Sequence, residues 1–190
     1  MFDVGRTDRS VIGHWWWTID HWLLLAIILL IGLGAVMIMA ASPAVADRIG
    51  LDAFHFVQRQ LLFIGPALVL MTAVSLLPPI WIRRIGVIVF FVSLFLVVAT
   101  LLIGPEIKGA RRWLALGSLL LQPSEFIKPA LAIFVAWMLS EKSYSQNFPG
   151  FTIASVCVFI VLVFLVLQPD IGMALVIGAI WFVQMFVAGL

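Results

Sequence analysis

The stretch LLLAIILLIGLGAVMIMAA, residues 23–41, constrains this chain more than any other feature, because none of its side chains is charged or strongly polar. A helix of that length reaches about 30 Å, the thickness of a bilayer's hydrocarbon core. Further apolar runs follow it, and hydrophobic residues make up 64% of the sequence against 11% charged. Soluble domains are nearer half apolar and a quarter charged, so lipid has to be the solvent here. In lipid every backbone polar group must be bonded internally, and long continuous apolar runs satisfy that as helices; barrel strands would alternate. The expected fold class is therefore all-α, a polytopic transmembrane helical bundle of about six spanning helices.

The six segments run from Trp22 to Ala41, Gln60 to Leu77, Ile85 to Ile103, Pro123 to Ser140, Phe151 to Leu167 and Ile171 to Leu190. Proline sets several limits. Pro78-Pro79 cannot continue a hydrogen-bond ladder, Gly104-Pro105 ends the third segment, and Pro123 suits a first helical turn. Residues 42–59, 78–84, 104–122 and 141–150 read as linkers, as does the tripeptide QPD at 168–170. Two regions are expected: an interfacial arm over residues 1–21 and a transmembrane region over 22–190. In the arm, Trp15, Trp16 and Trp17, with Trp22 just after it, suit a headgroup belt. The acids before that tryptophan cluster, and the length of the run after it, argue against a cleavable signal peptide.

Several function classes drop out. The net charge is +2, with no dense basic face, so no nucleic-acid partner is expected. His14, His21 and His55 are scattered, and the lone Cys157 sits in an apolar run, so no metal site is expected. There is no P-loop, nucleophile elbow or dinucleotide turn. Charge does not fix orientation. With the N-terminus inside, Arg6, Arg9, Arg83, Arg84 and Lys142 face one side, and Arg48, Arg59, Lys108, Arg111, Arg112 and Lys128 the other.

Four polar constellations remain. KGARRW places Lys108, Arg111 and Arg112 beside Trp113. Arginine forks match phosphate oxygens and lysine adds a point charge, so the group fits a cradle for a lipid phosphate or diphosphate. It equally fits a snorkelling anchor for anionic headgroups, the commoner use of such a cluster. In QPSEFIK, after Gln122 and Ser124, Glu125 and Lys128 stand three apart on one helix face. Charge within lipid is costly and a pair offsets part of that cost, so these residues mark a functional site, a structural lock, or both. In QPDIG, Pro169 breaks the helix and Asp170, after Gln168, fits a cap for the next one, with Gly172 allowing close approach. In FVQRQ, Arg59 reads as an anchor and Gln60 as a helix–helix hydrogen bonder. Gly32, Gly34, Ala40, Ala41 and Ser42 offer small surfaces for packing.

FVQRQ (56–60), KGARRW (108–113), QPSEFIK (122–128) and QPDIG (168–172), in that order, resemble the SEDS family of cell-wall proteins, which includes RodA and FtsW. The tryptophan-rich arm and ASPAVADRIGLDAFHFVQRQ look most like the alphaproteobacterial FtsW type. The resemblance implies a peptidoglycan glycosyltransferase that polymerises lipid II, a disaccharide-peptide on undecaprenyl diphosphate, in septal wall synthesis. It implies a class B penicillin-binding protein and other division proteins as partners, in the bacterial inner membrane at the septum. It also implies ten spanning helices with both ends cytoplasmic, which puts residues 104–122 and the QPD turn at the outer face.

On that resemblance Lys108, Arg111, Arg112, Trp113 and Arg59 form the substrate-binding set. Gln60, Gln122, Ser124, Glu125, Lys128, Gln168 and Asp170 form a structural, intramembrane polar set. The family's proposed catalytic aspartate lies in a later outer loop, so no catalytic residue is expected here, and any divalent cation belongs to the complete protein. The chain reads as an N-terminal portion, inactive alone, cut at Ala188-Gly189-Leu190. One position departs from the family pattern: Met173 stands where threonine usually follows QPDxG. A lipid II flippase and a non-catalytic division scaffold are the alternative readings.

Overall fold

The computed structural model describes residues 11–50, 52–107, 109–117, 119–144 and 148–189. They form seven helices and one short hairpin: α1 (Val11–Thr18), α2 (His21–Ile49), α3 (His55–Ser75), α4 (Pro79–Ile103), β1 (Leu114–Leu116), β2 (Leu119–Leu121), α5 (Pro123–Tyr144), α6 (Gly150–Leu167) and α7 (Ile171–Val187). The all-α class holds, and each expected span corresponds to one of the helices α2–α7. Four of them, α2, α3, α4 and α6, are long and apolar enough to cross a membrane, while α7 is apolar but shorter. The chain divides into two compact units, residues 1–77 and 78–190.

In the first unit, Asp20 caps α2 by accepting from the backbone N–H groups of Trp22 (2.9 Å) and Leu23 (3.2 Å). The helix continues past its expected end at Ala41, through Pro43 to Ile49, where Gly50 takes the left-handed conformation (φ 69°) that closes it. The linker expected over 42–59 therefore shrinks to a tight turn. Pro43 removes one N–H without stopping the helix, and the Ser42 hydroxyl donates to Ala53 O at 2.7 Å to hold the return. Trp15 Nε1 donates to Ser75 Oγ at 2.8 Å, which ties α1 to the end of α3. Little else is buried: Ser42 and Ala46 on α2, nothing on α3. Gly32 and Gly34, expected as packing surfaces, have open space where a Cβ would stand.

The second unit has a continuous apolar core. Phe90 of α4 stacks on Phe134 of α5 with centroids 5.0 Å apart, and Ile127, Val135, Val158, Val161, Leu165 and Ile177 extend the core through α6 and α7. Close helix–helix approach depends on Gly86 and Gly150. A methyl on Gly86 would meet Ile133 Cγ2 at 2.8 Å, and one on Gly150 would collide with the Met138 carbonyl. Helix α4 begins at Pro79, six residues before its expected start at Ile85, because proline is pre-organised for a first turn. The stretch 114–121, expected as part of a linker, is an antiparallel hairpin pairing Leu114 with Leu121 and Leu116 with Leu119, and Gly117 (φ 63°) opens its turn.

Candidate functional site

The site is assembled at the end of the second unit where α4 stops, α5 starts and α6 hands over to α7. Helix α6 ends because Pro169 has no N–H to offer, which leaves the Gln168 and Pro169 carbonyls without helical partners. Arg112 supplies them. Its Nε donates to Gln168 O at 3.1 Å, one terminal nitrogen donates to Pro169 O, and the other lies 3.7 Å from Asp170 Oδ1. One planar guanidinium thus reads three successive residues of the turn, a geometry lysine could not reproduce.

Asp170 is the second hub, with its side chain only 10% exposed. It caps α7 by accepting from the Met173 N–H at 3.4 Å, and it accepts from Gln122 Nε2, also at 3.4 Å. Gln122 donates in addition to the buried Ser124 Oγ at 3.2 Å, which joins the start of α5 to the same knot. Gln168, fully buried, reaches α4: its Nε2 donates to Val97 O at 3.0 Å and to Thr100 Oγ1. Its Oε1 has no protein partner. The QPD turn is thereby tied to the loop, to α5 and to α4. The cap expected at Asp170 is present. The departure at Met173 is absorbed, because the cap uses its backbone N–H while its side chain is buried in the core. Gly172 has open space around a would-be Cβ, so the close approach expected there is not made among the described residues.

The cation loop leads into this knot. Ile107 and Ala110 exchange backbone hydrogen bonds of 3.0 and 3.2 Å across a tight turn that includes Gly109 (φ 76°). Lys108 lies outside the described residues. Arg111, next to the engaged Arg112, is 49% exposed, and its nearest acid is the 59% exposed Glu106 at 3.7 Å. Trp113 is half-buried. The two neighbouring arginines therefore differ in kind: Arg112 is spent on the fold, and Arg111 keeps a half-exposed guanidinium with only a long, weak pair to Glu106.

Glu125 and Lys128 do pair, at 2.7 Å. Protein covers the pair only in part: Glu125 is 52% exposed and Lys128 27%, with Glu125 in the first turn of α5, where the helix N-terminus favours an acid. Arg59 and Gln60 lie in the second turn of α3, both exposed. The helix–helix hydrogen bond expected of Gln60 is not formed among the described residues; Gln60 lines a cleft with Ile27, Ile31 and Ile64. Glu106 and Thr100 are the partners that sequence reasoning missed. Glu106, two residues before Lys108, carried a signal in its charge alone; Thr100, inside an apolar run, carried none. Among the described residues no three His, Cys, Asp or Glu side chains come together as a metal donor set.

Residues 21–190 match the cell cycle protein family FtsW/RodA/SpoVE. The chain is 42% identical over 186 residues to a probable peptidoglycan glycosyltransferase FtsW of Caulobacter vibrioides, covering 97% of this chain and 48% of that protein. It is 33% identical over 176 residues to stage V sporulation protein E of Bacillus subtilis, covering 90% of this chain and 48% of that one. Among solved structures it is similar to the rod shape determining protein RodA of Thermus thermophilus, with a TM-score of 0.75, 28% identity, and coverage of 92% of this chain and 55% of that one. It is also similar to a chain from a peptidoglycan synthase complex that coordinates polymerization and crosslinking, with a TM-score of 0.63, 31% identity, and coverage of 83% and 47%. The chain spans about half the length of the curated relatives it matches.

Proposed function

From the premise that this chain belongs to the FtsW/RodA/SpoVE family, we propose that it is the N-terminal part of a multi-pass peptidoglycan glycosyltransferase that polymerises lipid II in septal wall synthesis. The observation that carries the reading is the division of labour between Arg112 and Arg111. Arg112 and Asp170 brace a loop, and Arg111 stands half exposed on it beside Trp113. In glycosyl transfer the acceptor hydroxyl loses a proton to a base, attacks the anomeric carbon, and the diphosphate leaves with growing charge. Fixed cations at the departing oxygens stabilise that charge. Arg111 and Lys108 are assigned to this task, with Trp113 at headgroup depth; Arg59, in the first unit, is kept as a separate candidate contact for the lipid substrate. The family resemblance implies that the base is an aspartate of a later outer loop, and Asp170 is committed to a cap and an ion pair. Among the described residues no donor set for a divalent cation is assembled.

The similarity to a chain of a peptidoglycan synthase complex supports a class B penicillin-binding protein as partner, and the FtsW relatives support a place in the bacterial inner membrane at the septum. The arm over residues 1–21 is assigned to the headgroup zone, with the loop at the outer face. The test is lipid II polymerisation by the complete protein carrying Arg111→Glu. A loss of at least about tenfold, with unchanged thermal unfolding, is expected for a cation at a developing diphosphate charge. Wild-type rates in a folded variant would remove Arg111 from the substrate site.

A further inference from the structure

At the opposite end of α4 from the loop stands a second pair of consecutive arginines, Arg83 and Arg84. Arg84 and Gly104 are twenty residues apart on this helix, about 30 Å, so the two arginine pairs belong to opposite membrane faces. Arg83 and Arg84 line a cavity of about 420 Å³ with Ile80, Val87, Trp137 and Glu141. A second cleft of about 300 Å³ adjoins it, lined by Ile82, Ile133, Ala136 and Ser140 and sharing Arg83 and Trp137. Among the described residues neither arginine has an ion pair, and Glu141, in the same cavity, pairs with neither. Arg84 is held over the Trp81 ring, its Cζ 5.4 Å from the centroid.

We propose that this place is a binding site for one anionic diacyl phospholipid. Its phosphate would lie at Arg83 and Arg84, and its two acyl chains would enter the two clefts on either side of Arg83 and Trp137. Two cations face one carboxylate, so the cavity keeps a net positive charge for a phosphate to neutralise. Arginine forks match phosphate oxygens bidentately, and cation–π contact with Trp81 holds Arg84 ready without consuming its donors. The apolar clefts exclude a free anion as the natural occupant, because they would be left unfilled. An ordinary snorkelling girdle would supply the charges but no paired clefts. The lipid would bridge α4 and α5, since the lining residues come from both.

The experiment is native mass spectrometry of the intact protein, titrated with phosphatidylglycerol, phosphatidylcholine or glycerol 1-phosphate. One phosphatidylglycerol should be retained in preference to phosphatidylcholine. The double variant Arg83→Gln/Arg84→Gln should weaken that retention by about tenfold or more, as expected for losing charge-assisted contacts, and the lysine pair should restore part of it. Val87→Phe, which narrows a cleft and leaves both cations, should weaken it too, so the site remains testable if the double variant fails to fold. Arg48→Gln should change nothing. Equal retention of both lipids, an unaffected Val87→Phe, or displacement of the lipid by glycerol 1-phosphate would each overturn the assignment.

Discussion

Arg111-Arg112 and Arg83-Arg84 are both consecutive arginines near tryptophan at the ends of the same apolar unit, yet the fold treats them differently. At the loop end, Arg112 is bound to two carbonyls and a nearly buried carboxylate. At the other end, both guanidinia are free of carboxylate partners among the described residues. The difference follows from what each end must satisfy. The QPD turn breaks a helix and leaves two successive carbonyls without helical partners, beside a nearly buried carboxylate whose charge is expensive to leave unpaired. The start of α4 strands nothing comparable, because Pro79 fills a position whose N–H would be an orphan anyway. A cation near a membrane face is thus a structural part where backbone is left unpaired, and a ligand-facing part where it is not.

The largest effect that can test this contrast comes from Arg112→Ala. It leaves Asp170 charged and nearly buried beside two unpaired carbonyls. We expect a loss of about 2 kcal/mol, less than for breaking a fully buried pair because the Arg112 side chain is 33% exposed, read as a lower unfolding temperature in detergent. Arg112→Lys should recover only part of that, since a point charge cannot reach three acceptors. An Arg112→Ala protein of wild-type stability would erase the distinction between the two pairs. Next in size is Gln168→Leu. It removes the side-chain tie from the turn to α4, but the Thr100 hydroxyl keeps its own bond to Val97 O at 2.6 Å. A cost of about 1 kcal/mol is expected, the usual net value of a hydrogen bond. A much larger loss would make the α4 tie, rather than the arginine, the main brace of the turn.

How much of this was readable in advance depends on distance along the chain. The helices α2–α7 follow from hydropathy, and the cap at Asp170 from the QPD break, because both are local. The boundaries that moved did so at prolines. The linker expected from Ser42 gives way to a longer α2 that carries Pro43 inside it, while Pro78-Pro79, expected as a stop, also starts α4. The hairpin at 114–121 had a signal, Gly117-Ser118 between leucine-rich triplets, but strands of three residues are too short to show a periodicity of their own. The role of Arg112 was not legible, because its partners lie 56 and 57 residues away and nothing local distinguishes it from Arg111. The Glu125–Lys128 spacing was legible as a pair; its exposure was not, since that depends on where the first turn of α5 emerges.

The smallest stability effects belong to the arginines that lack firm partners, and they define the contrast most sharply. Arg111→Gln breaks only a 3.7 Å pair between half-exposed side chains, which in such settings contributes between nothing and about 1 kcal/mol. Its unfolding temperature should stay within about four degrees of wild type, about 1 kcal/mol at most. Arg83→Gln/Arg84→Gln in lipid-free detergent should change stability less still, because no protein ion pair is lost. Adding phosphatidylglycerol should then stabilise the wild-type protein and leave the double variant behind, since a ligand that binds only the folded state raises its stability with concentration. The comparison is internal: the same two proteins in the same detergent, with and without one lipid. If the double variant is already destabilised before lipid is added, the two ends of the unit use their arginines alike, and Arg83 and Arg84 belong with Arg112 as structural parts.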